Sequence, residues 1–354
     1  MHPESSVPMA PVASRTAGPA FSFKRTAAIV GAIGLSGACL YLAMRGTDPR
    51  EIGAALATAH LWLVLPLIVT QVLFYSVKAI RWRVLLSPAC SISARRLAAP
   101  MMIGFMGNNL LPARLGELIR LHLGARLMRI SYSQVLATLV LERLFDFVAV
   151  LALFAVGVAI LPDVPRTLVS AAYVSALISG VAVVGIFAFV GWTAPTLNLV
   201  RRITGILPGA IATAIVRQLE LGASGMAALR QPRLLVAIVA TSVFQWFLMS
   251  FCIFLSFRAV EIHAPFAAAF IVLAATVFGV MVPAAPGFFG TLHLAFVLAL
   301  TPFHVAENRA MAAAVFYHII PYVGVILAGA YFVRRMGVGL RDIEREALQA
   351  ESVR

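Results

Sequence analysis

Residues 108–120 read NNLLPARLGELIR and follow without a break on an apolar leg, 97–111. Few folds accommodate such a stretch in an apolar chain. Pro112 has no backbone N–H to give to a helix, and Asn108 and Asn109 bring amides that hydrocarbon cannot satisfy. Irregular backbone at membrane depth is tolerated only where protein buries it or water reaches it, so this stretch is expected to form the tip of a re-entrant hairpin, with Pro112 and Gly116 at its turn. After Pro112 a helix restarts and sets Arg114, Glu117 and Arg120 roughly on one face, as a charged lining.

The rest of the chain agrees with a membrane setting. Of 354 residues, 61% are hydrophobic and only 12% charged, and the mean hydropathy is +0.95. Soluble domains carry about a quarter charged residues, so this composition implies a polytopic membrane protein. The net charge of +14 does not form one basic stripe with interleaved aromatics, which argues against nucleic acid as a partner. Cys39, Cys90 and Cys252 are too scattered for a disulfide framework or a metal site, and no cofactor is expected.

Residues 1–26, rich in Pro, Ala and Ser, read as a disordered cytoplasmic segment. Spans are expected at 27–44, 61–80, 133–161, 170–192, 234–257 and 310–333. An amphipathic helix runs from the first hairpin tip to about 130. Residues 197–231 alternate apolar positions with Arg201, Arg202, Arg217, Glu220 and Arg230 and read as an interfacial helix. The GASG at 222–225 resembles the nucleophile motif of rhomboid proteases, but its flanks are interfacial, and small-residue packing is the preferred reading. A segment at 266–282 is broken by PAAPGFFG at 283–290, with Pro283 and Pro286 fixing the break. The apolar piece that follows, 291–301, is too short to cross about 30 Å of hydrocarbon as a helix and reads as the return leg of a second hairpin. Residues 336–354 form a cytoplasmic basic tail, and 27–335 form the membrane domain.

Charge sets the orientation. With both termini cytoplasmic, every Lys and Arg lies inside except Arg45, Arg50, Arg166, Arg258 and Arg309, which face out, and Arg143, which lies within a span. That is the positive-inside pattern.

An internal repeat emerges when Pro112 is aligned with Pro283. Gly116 then falls on Gly287, Leu121-His122-Leu123 on Leu292-His293-Leu294, and Thr70 and Val72 on Thr241 and Val243; a further short shift sets Phe147-Val148 on Tyr322-Val323. Each half, 27–161 and 170–333, holds three crossings and a hairpin, and an odd number inverts the second half. The expected fold is therefore an all-α polytopic membrane protein with an inverted-topology repeat, each half three transmembrane helices plus one re-entrant helical hairpin. Broken helices that meet near the midplane of inverted repeats are a transporter architecture.

Glu142, Arg143 and Asp146 begin about ten residues into their span, about 15 Å deep at 1.5 Å per residue. Each costs about 2.5–3.5 kcal/mol at a helix centre, so they must pair or line water. Two readings stand side by side: an ion-pair cluster in which Arg114 or Arg143 meets Glu117, Glu142 or Asp146, and contact with substrate, for which the planar guanidinium fork suits phosphate. Gly287 and Gly290 permit close backbone approach or exposed amides. His293 and His318 read either as hydrogen-bonded packing residues or as a proton-coupling pair. Lys78, Arg81 and Arg83 read as an ordinary positive-inside cluster or as headgroup ligands.

The pattern N-x-x-P-x-R-x-G-E-x-x-R at 109–120, E-R-x-x-D at 142–146, P-x-x-P-G-x-x-G at 283–290 and the closing segment with Tyr317 and Pro321 resembles the lysylphosphatidylglycerol synthase transmembrane, or flippase-like, family over nearly all of 25–335. The resemblance implies a lipid-translocating domain of the bacterial inner membrane, like the membrane half of the bifunctional aminoacyl-phosphatidylglycerol synthases. The soluble transferase domain of those enzymes has no counterpart in this sequence, so synthase activity is not implied. A stand-alone member, comparable to those associated with hopanoid or polyprenyl-linked lipids, is expected. Where many members carry Glu and Arg in the second hairpin and last span, this chain has His293 and His318, which leaves headgroup preference open.

The expectation is a non-enzymatic inner-membrane lipid transporter or flippase. It carries a phosphate-bearing or polyprenyl/hopanoid-type lipid, anionic or phosphate-bearing in its headgroup, through a polar cavity that draws on Asn108, Asn109, Arg114, Glu117, Arg120, Glu142, Arg143, Asp146, Gly287, Gly290, His293, Tyr317 and His318. A lipid-biosynthesis enzyme and a second copy of the chain are candidate partners. The alternative is a non-catalytic scaffold or accessory subunit for such an enzyme, docked through 197–231.

Overall fold

The computed structural model describes residues 23–111, 114–162, 165–192, 195, 217, 227–281 and 285–337. The expected disordered segment up to residue 22, Pro112, Pro283, most of 197–231 with its GASG, and the tail beyond 337 lie outside the described residues. Within them the chain is helical. In order come α1 (Phe23–Met44), α2 (Pro49–Ala57), α3 (Val64–Leu86), α4 (Ala94–Leu110), α5 (Leu115–Met128), α6 (Tyr132–Ile160) and α7 (Arg166–Gly191), then α8 (Pro232–Ala259), α9 (Phe266–Met281), α10 (Thr291–Leu300) and α11 (Glu307–Met336).

Local chemistry sets most of the boundaries. Asp48 caps α2 by accepting from the Arg50 N–H, and Pro49 follows at the first helical position. Ser131 and Gln134 form a capping box that starts α6. Pro232 opens α8, and Gly337, with φ +64°, closes α11 in the left-handed conformation.

Among the described residues, six helical stretches are long and apolar enough to cross a membrane: Leu61–Leu86, Tyr132–Ile160, Arg166–Gly185, Pro232–Ala259, Pro286–Phe303 and Glu307–Met336. The protein is a multi-pass membrane protein. Pro286–Phe303 reaches that length only by adding short 3-10 turns on either side of α10, whose regular part has 10 residues. Helices Val30–Met44 and Phe266–Met281 are apolar but shorter. The α3 span runs to Leu86 rather than ending near 80, which carries Lys78 and Arg81 into the helix body.

Two helical hairpins stand out. In the first, α4 packs along α5, and three glycines make the approach close. A Cβ on Gly107 would lie 2.9 Å from the Gly116 Cα, and one on Gly104 would lie 2.8 Å from the Gly116 carbonyl oxygen. In the second, α9 packs along α10, and a Cβ on Gly279 would lie 2.9 Å from the Thr291 carbonyl oxygen. The two hairpins touch: α4 contacts the 3-10 turn Pro286–Phe288, and the Arg114 guanidinium donates to the Val280 carbonyl.

The long helices surround these hairpins. α3 pairs with α8, α11 packs on α4, and α6 packs on α9. α1 lies against α10, and α7 against α6. The largest apolar core joins α8, α9, α10 and α11 through Phe257, Phe296 and the small residues Ala268, Ala269 and Ala312–Ala314, which let backbones approach where no water drives association. One end of the bundle gathers the turns around Asp48, Ala259 and Asn308: the Asp48 N–H donates to Asn308 Oδ1 at 2.9 Å and the His60 N–H to the Ala259 carbonyl at 2.9 Å. A second core at the other end joins Cys90, Ile92 and Ala94 to Met128, Ile130 and Val333.

Candidate functional site

The site is built on α3 and α6. Lys78 and Arg81 are three apart on α3, and Glu142 and Asp146 four apart on α6, so each pair projects from one helix face toward the other. Lys78 Nζ lies 2.8 Å from Glu142 Oε1 and 3.1 Å from Asp146 Oδ2. Arg81 Nη1 lies 2.7 Å from Asp146 Oδ1, and its Nη2 3.6 Å from Glu142 Oε1. From the first hairpin, Arg120 grips Glu142 with both ends of its fork, at 3.0 and 2.7 Å. α8 completes the shell: Gln245 Nε2 and Trp246 Nε1 donate to Asp146 Oδ1 at 2.6 and 2.8 Å, and Ser242 Oγ accepts from Arg81 at 2.8 Å. The Arg120 guanidinium also lies over Trp82, 4.1 Å from its ring centre.

All five charged side chains of this network are buried. Bringing five charges out of water is costly, and only multiple close partners offset it. Sequence reasoning placed Lys78 and Arg81 at the membrane surface as a positive-inside cluster or headgroup ligands. The structure corrects this: both are core ion-pair members, and only Arg83 of that trio is exposed. The signal was their three-residue spacing on a helix that continues past them. Arg120, Glu142 and Asp146 likewise meet each other and α3 rather than an open space.

Beside the network lies a cavity of about 280 Å³. It lies where the two hairpins meet. Asn108, Asn109, Arg114, Glu117, Arg143, Tyr317 and His318 line it, together with Lys78 and the aromatic rings of Phe74, Tyr75, Phe105, Trp246, Phe288 and Tyr322. No sequence pattern marked those rings, because a span is rich in aromatics on every face. Arg143 Nη2 meets Glu117 Oε1 at 2.5 Å, with the two side chains 50% and 41% exposed. Arg114 meets no carboxylate within ion-pair distance among the described residues; besides the Val280 carbonyl, its guanidinium faces the Phe288 ring, 5.7 Å away. Arg114 has a left-handed backbone, φ +55°, which swings its side chain off the line of α5 and across to the second hairpin.

Gly287, Gly290 and His293 sit apart from the cavity lining. Gly287 has φ +74°, and a Cβ there would lie 2.7 Å from the Tyr322 ring. Gly290 has φ +88° and backs onto the Ser36 carbonyl of α1. Its conformation and that contact explain glycine by geometry. His293 lies behind His318, with ring centres 5.1 Å apart. Phe289 packs on both rings. Pro286 begins the 3-10 turn that precedes α10. Among the described residues no three His, Cys, Asp or Glu side chains gather as a metal site requires.

The electrostatic balance is uneven. Lys78, Arg81, Arg114, Arg120 and Arg143 face Glu117, Glu142 and Asp146, an excess of two positive charges. Sited along membrane-length helices, such an excess attracts an anion, and the half-exposed guanidinium groups offer bidentate donors to it.

Helix lengths, the buried ion network and the cation-rich cavity together define a multi-pass membrane protein with a polar site inside its helix bundle. The chain belongs to the family of the lysylphosphatidylglycerol synthase TM region, whose sequence profile matches residues 29–329. No curated protein and no solved structure gives a significant match.

Proposed function

We propose that the protein is a lipid transporter of the bacterial inner membrane, a flippase that moves the headgroup of a phosphate-bearing lipid through the cavity between the two hairpin turns. The observation that carries this is the cavity itself: a space that joins both hairpins, holds an excess of positive charge and presents Arg114 with no carboxylate partner among the described residues. In this reading both termini are cytoplasmic and the hairpins are re-entrant, the first from the cytoplasmic face and the second from the opposite one. The halves are inverted repeats. Reciprocal packing supports that relation, since α4 and α9 occupy equivalent places, as do α6 and α11, and α4 packs on α11 as α9 packs on α6.

The sealed ion network then works as a rigid floor. It holds α3, α6 and the first hairpin in register, while the half-exposed Arg143–Glu117 pair and Arg114 meet the headgroup. Arg143 can exchange a carboxylate for a phosphate at small cost, because an exposed pair is worth about 1 kcal/mol or less. The chain acts as a carrier rather than an enzyme, alongside the enzyme that makes its lipid.

The test is translocation of a fluorescent phosphatidylglycerol in proteoliposomes. Arg114→Ala is expected to slow it by about tenfold or more, a barrier increase of about 1.4 kcal/mol, with thermal stability unchanged, and Arg114→Lys to restore part of the rate. Equal rates for Arg114→Ala and the natural chain would remove the headgroup reading.

A further inference from the structure

A second cavity lies between α3, α4 and α11. At about 620 Å³ it is larger than the charged one, and its walls are almost wholly apolar, with Val72, Ala98, Met101, Gly324 and Ala328 among them. The Ser76 hydroxyl and the Gln71 amide nitrogen in its lining are directed elsewhere. Ser76 Oγ donates to the Val72 carbonyl at 2.7 Å, and Gln71 Nε2 points to Cys252 Sγ at 3.7 Å. Ile68, Val72 and Ile80 of the α3 wall are exposed at the protein surface, so the groove opens sideways. Arg95, exposed at the start of α4, stands at one end of it. Three residues, Tyr75, Pro321 and Val325, line both this groove and the charged cavity. One layer of side chains separates the two spaces.

α11 makes this room. Pro321 lies inside the helix and removes a backbone donor from it. Three residues on, a Cβ at Gly324 would meet nothing within 4 Å, so close helix packing does not explain that glycine.

We propose that the groove holds an aliphatic chain of the same phosphate-bearing lipid whose headgroup enters the charged cavity, with the lipid straddling Tyr75 and Pro321. This rests on the headgroup reading above and adds where the tail goes. Hydrocarbon is as apolar as the groove, so a tail gains no hydrophobic free energy by entering it. What the groove supplies is geometry. A headgroup drawn into the bundle must bring the first atoms of its tails along, and a sideways-open apolar channel next to the polar site lets them follow without crossing charge. Continuity with a cavity of excess positive charge, and Arg95 at the groove's end, favour an anionic lipid over a neighbouring helix as the occupant.

The experiment uses the full chain in vesicles containing phosphatidylglycerol with a diazirine in the middle of one acyl chain, or diacylglycerol with the same labelled chain and no phosphate. After illumination, labelled peptides are mapped. The phosphate-bearing probe is expected to mark residues 68–80 and 320–328 about tenfold more than the diacylglycerol does, a difference of about 1.4 kcal/mol. Gly324→Trp, which fills the open space, and Arg114→Ala are both expected to lower that labelling. Equal labelling by the two probes means ordinary boundary lipid and overturns the proposal. So does a groove left unlabelled in the natural chain, or labelling that Gly324→Trp leaves unchanged. If Gly324→Trp does not fold, the comparison of the two probes on the natural chain decides by itself. If Arg114→Ala abolishes translocation while the groove stays unlabelled, the headgroup reading stands and the groove proposal alone falls. If Arg114→Ala leaves both translocation and groove labelling unchanged, the headgroup reading fails and this proposal with it.

Discussion

At the scale of residues, the decisive fact is that Glu142 and Asp146 each meet several cations, while Arg114 meets no carboxylate within ion-pair distance among the described residues. Glu142 serves Lys78, Arg81 and Arg120. Glu142→Gln would leave those three buried cations with Asp146 alone. Removing one partner of a buried ion pair costs about 3–5 kcal/mol, so this substitution should lower the unfolding temperature in detergent sharply; an unchanged melting curve would show that the network does not hold the fold. Arg143→Ala belongs to the other class. Its pair with Glu117 is half-exposed, so stability should change by about 1 kcal/mol or less while translocation slows. The sequence revealed the deep charges of α6 and their need for partners, but it misassigned Lys78 and Arg81. A cationic residue near the end of an apolar run usually marks the membrane surface, and here the run goes on to Leu86 because carboxylates on another helix accept those charges. That pairing is long-range, and no local pattern carries it.

At the scale of elements, hairpin legs were legible and turn contacts were not. The expected legs at 97–111 and 291–301 correspond in extent to the helices α4 (Ala94–Leu110) and α10 (Thr291–Leu300), because the Pro and Gly beside each apolar run interrupt it there. What sequence could not say is that Gly104 and Gly107 face Gly116, because three small residues on two helices look alike in any register. Gly116→Leu should force α4 and α5 apart. The result expected is loss of stability together with loss of the cavity, read as a lower unfolding temperature and slower translocation. Gly180→Ala is the matching control: a Cβ there meets nothing within 4 Å, so the helix should gain up to about 1 kcal/mol. Equal effects of the two substitutions would mean that hairpin packing does not depend on the glycines.

At the scale of the whole molecule, the two halves of the proposed repeat are not interchangeable. α3 pairs with α8, α4 packs on α11 and α9 on α6, whereas α1 packs on α10 while α7, its counterpart in the proposed repeat, packs on α6. The span order and the motif offset suggested the repeat, which stands as part of the proposed function. The difference between α1 and α7 arises from packing on apolar faces that carry no directional chemistry. Charge is unequal too: the first hairpin supplies Arg114, Glu117 and Arg120, whereas the second brings Phe288, Phe289 and His293. In the proposed function the first hairpin supplies the groups that would meet an anion, and the second sets the Phe288 ring against Arg114.

Transport through a central cavity requires that the two hairpins open to opposite faces of the membrane, which sidedness labelling reads directly. With Cys39, Cys90 and Cys252 replaced, Arg126→Cys reports the open end of the first hairpin and Thr301→Cys that of the second; both positions are exposed. In intact cells a membrane-impermeant maleimide should modify the cysteine of Thr301→Cys, and that of Arg126→Cys only after permeabilisation. Reaction of both from the same side would contradict the inverted arrangement and the shared cavity built on it.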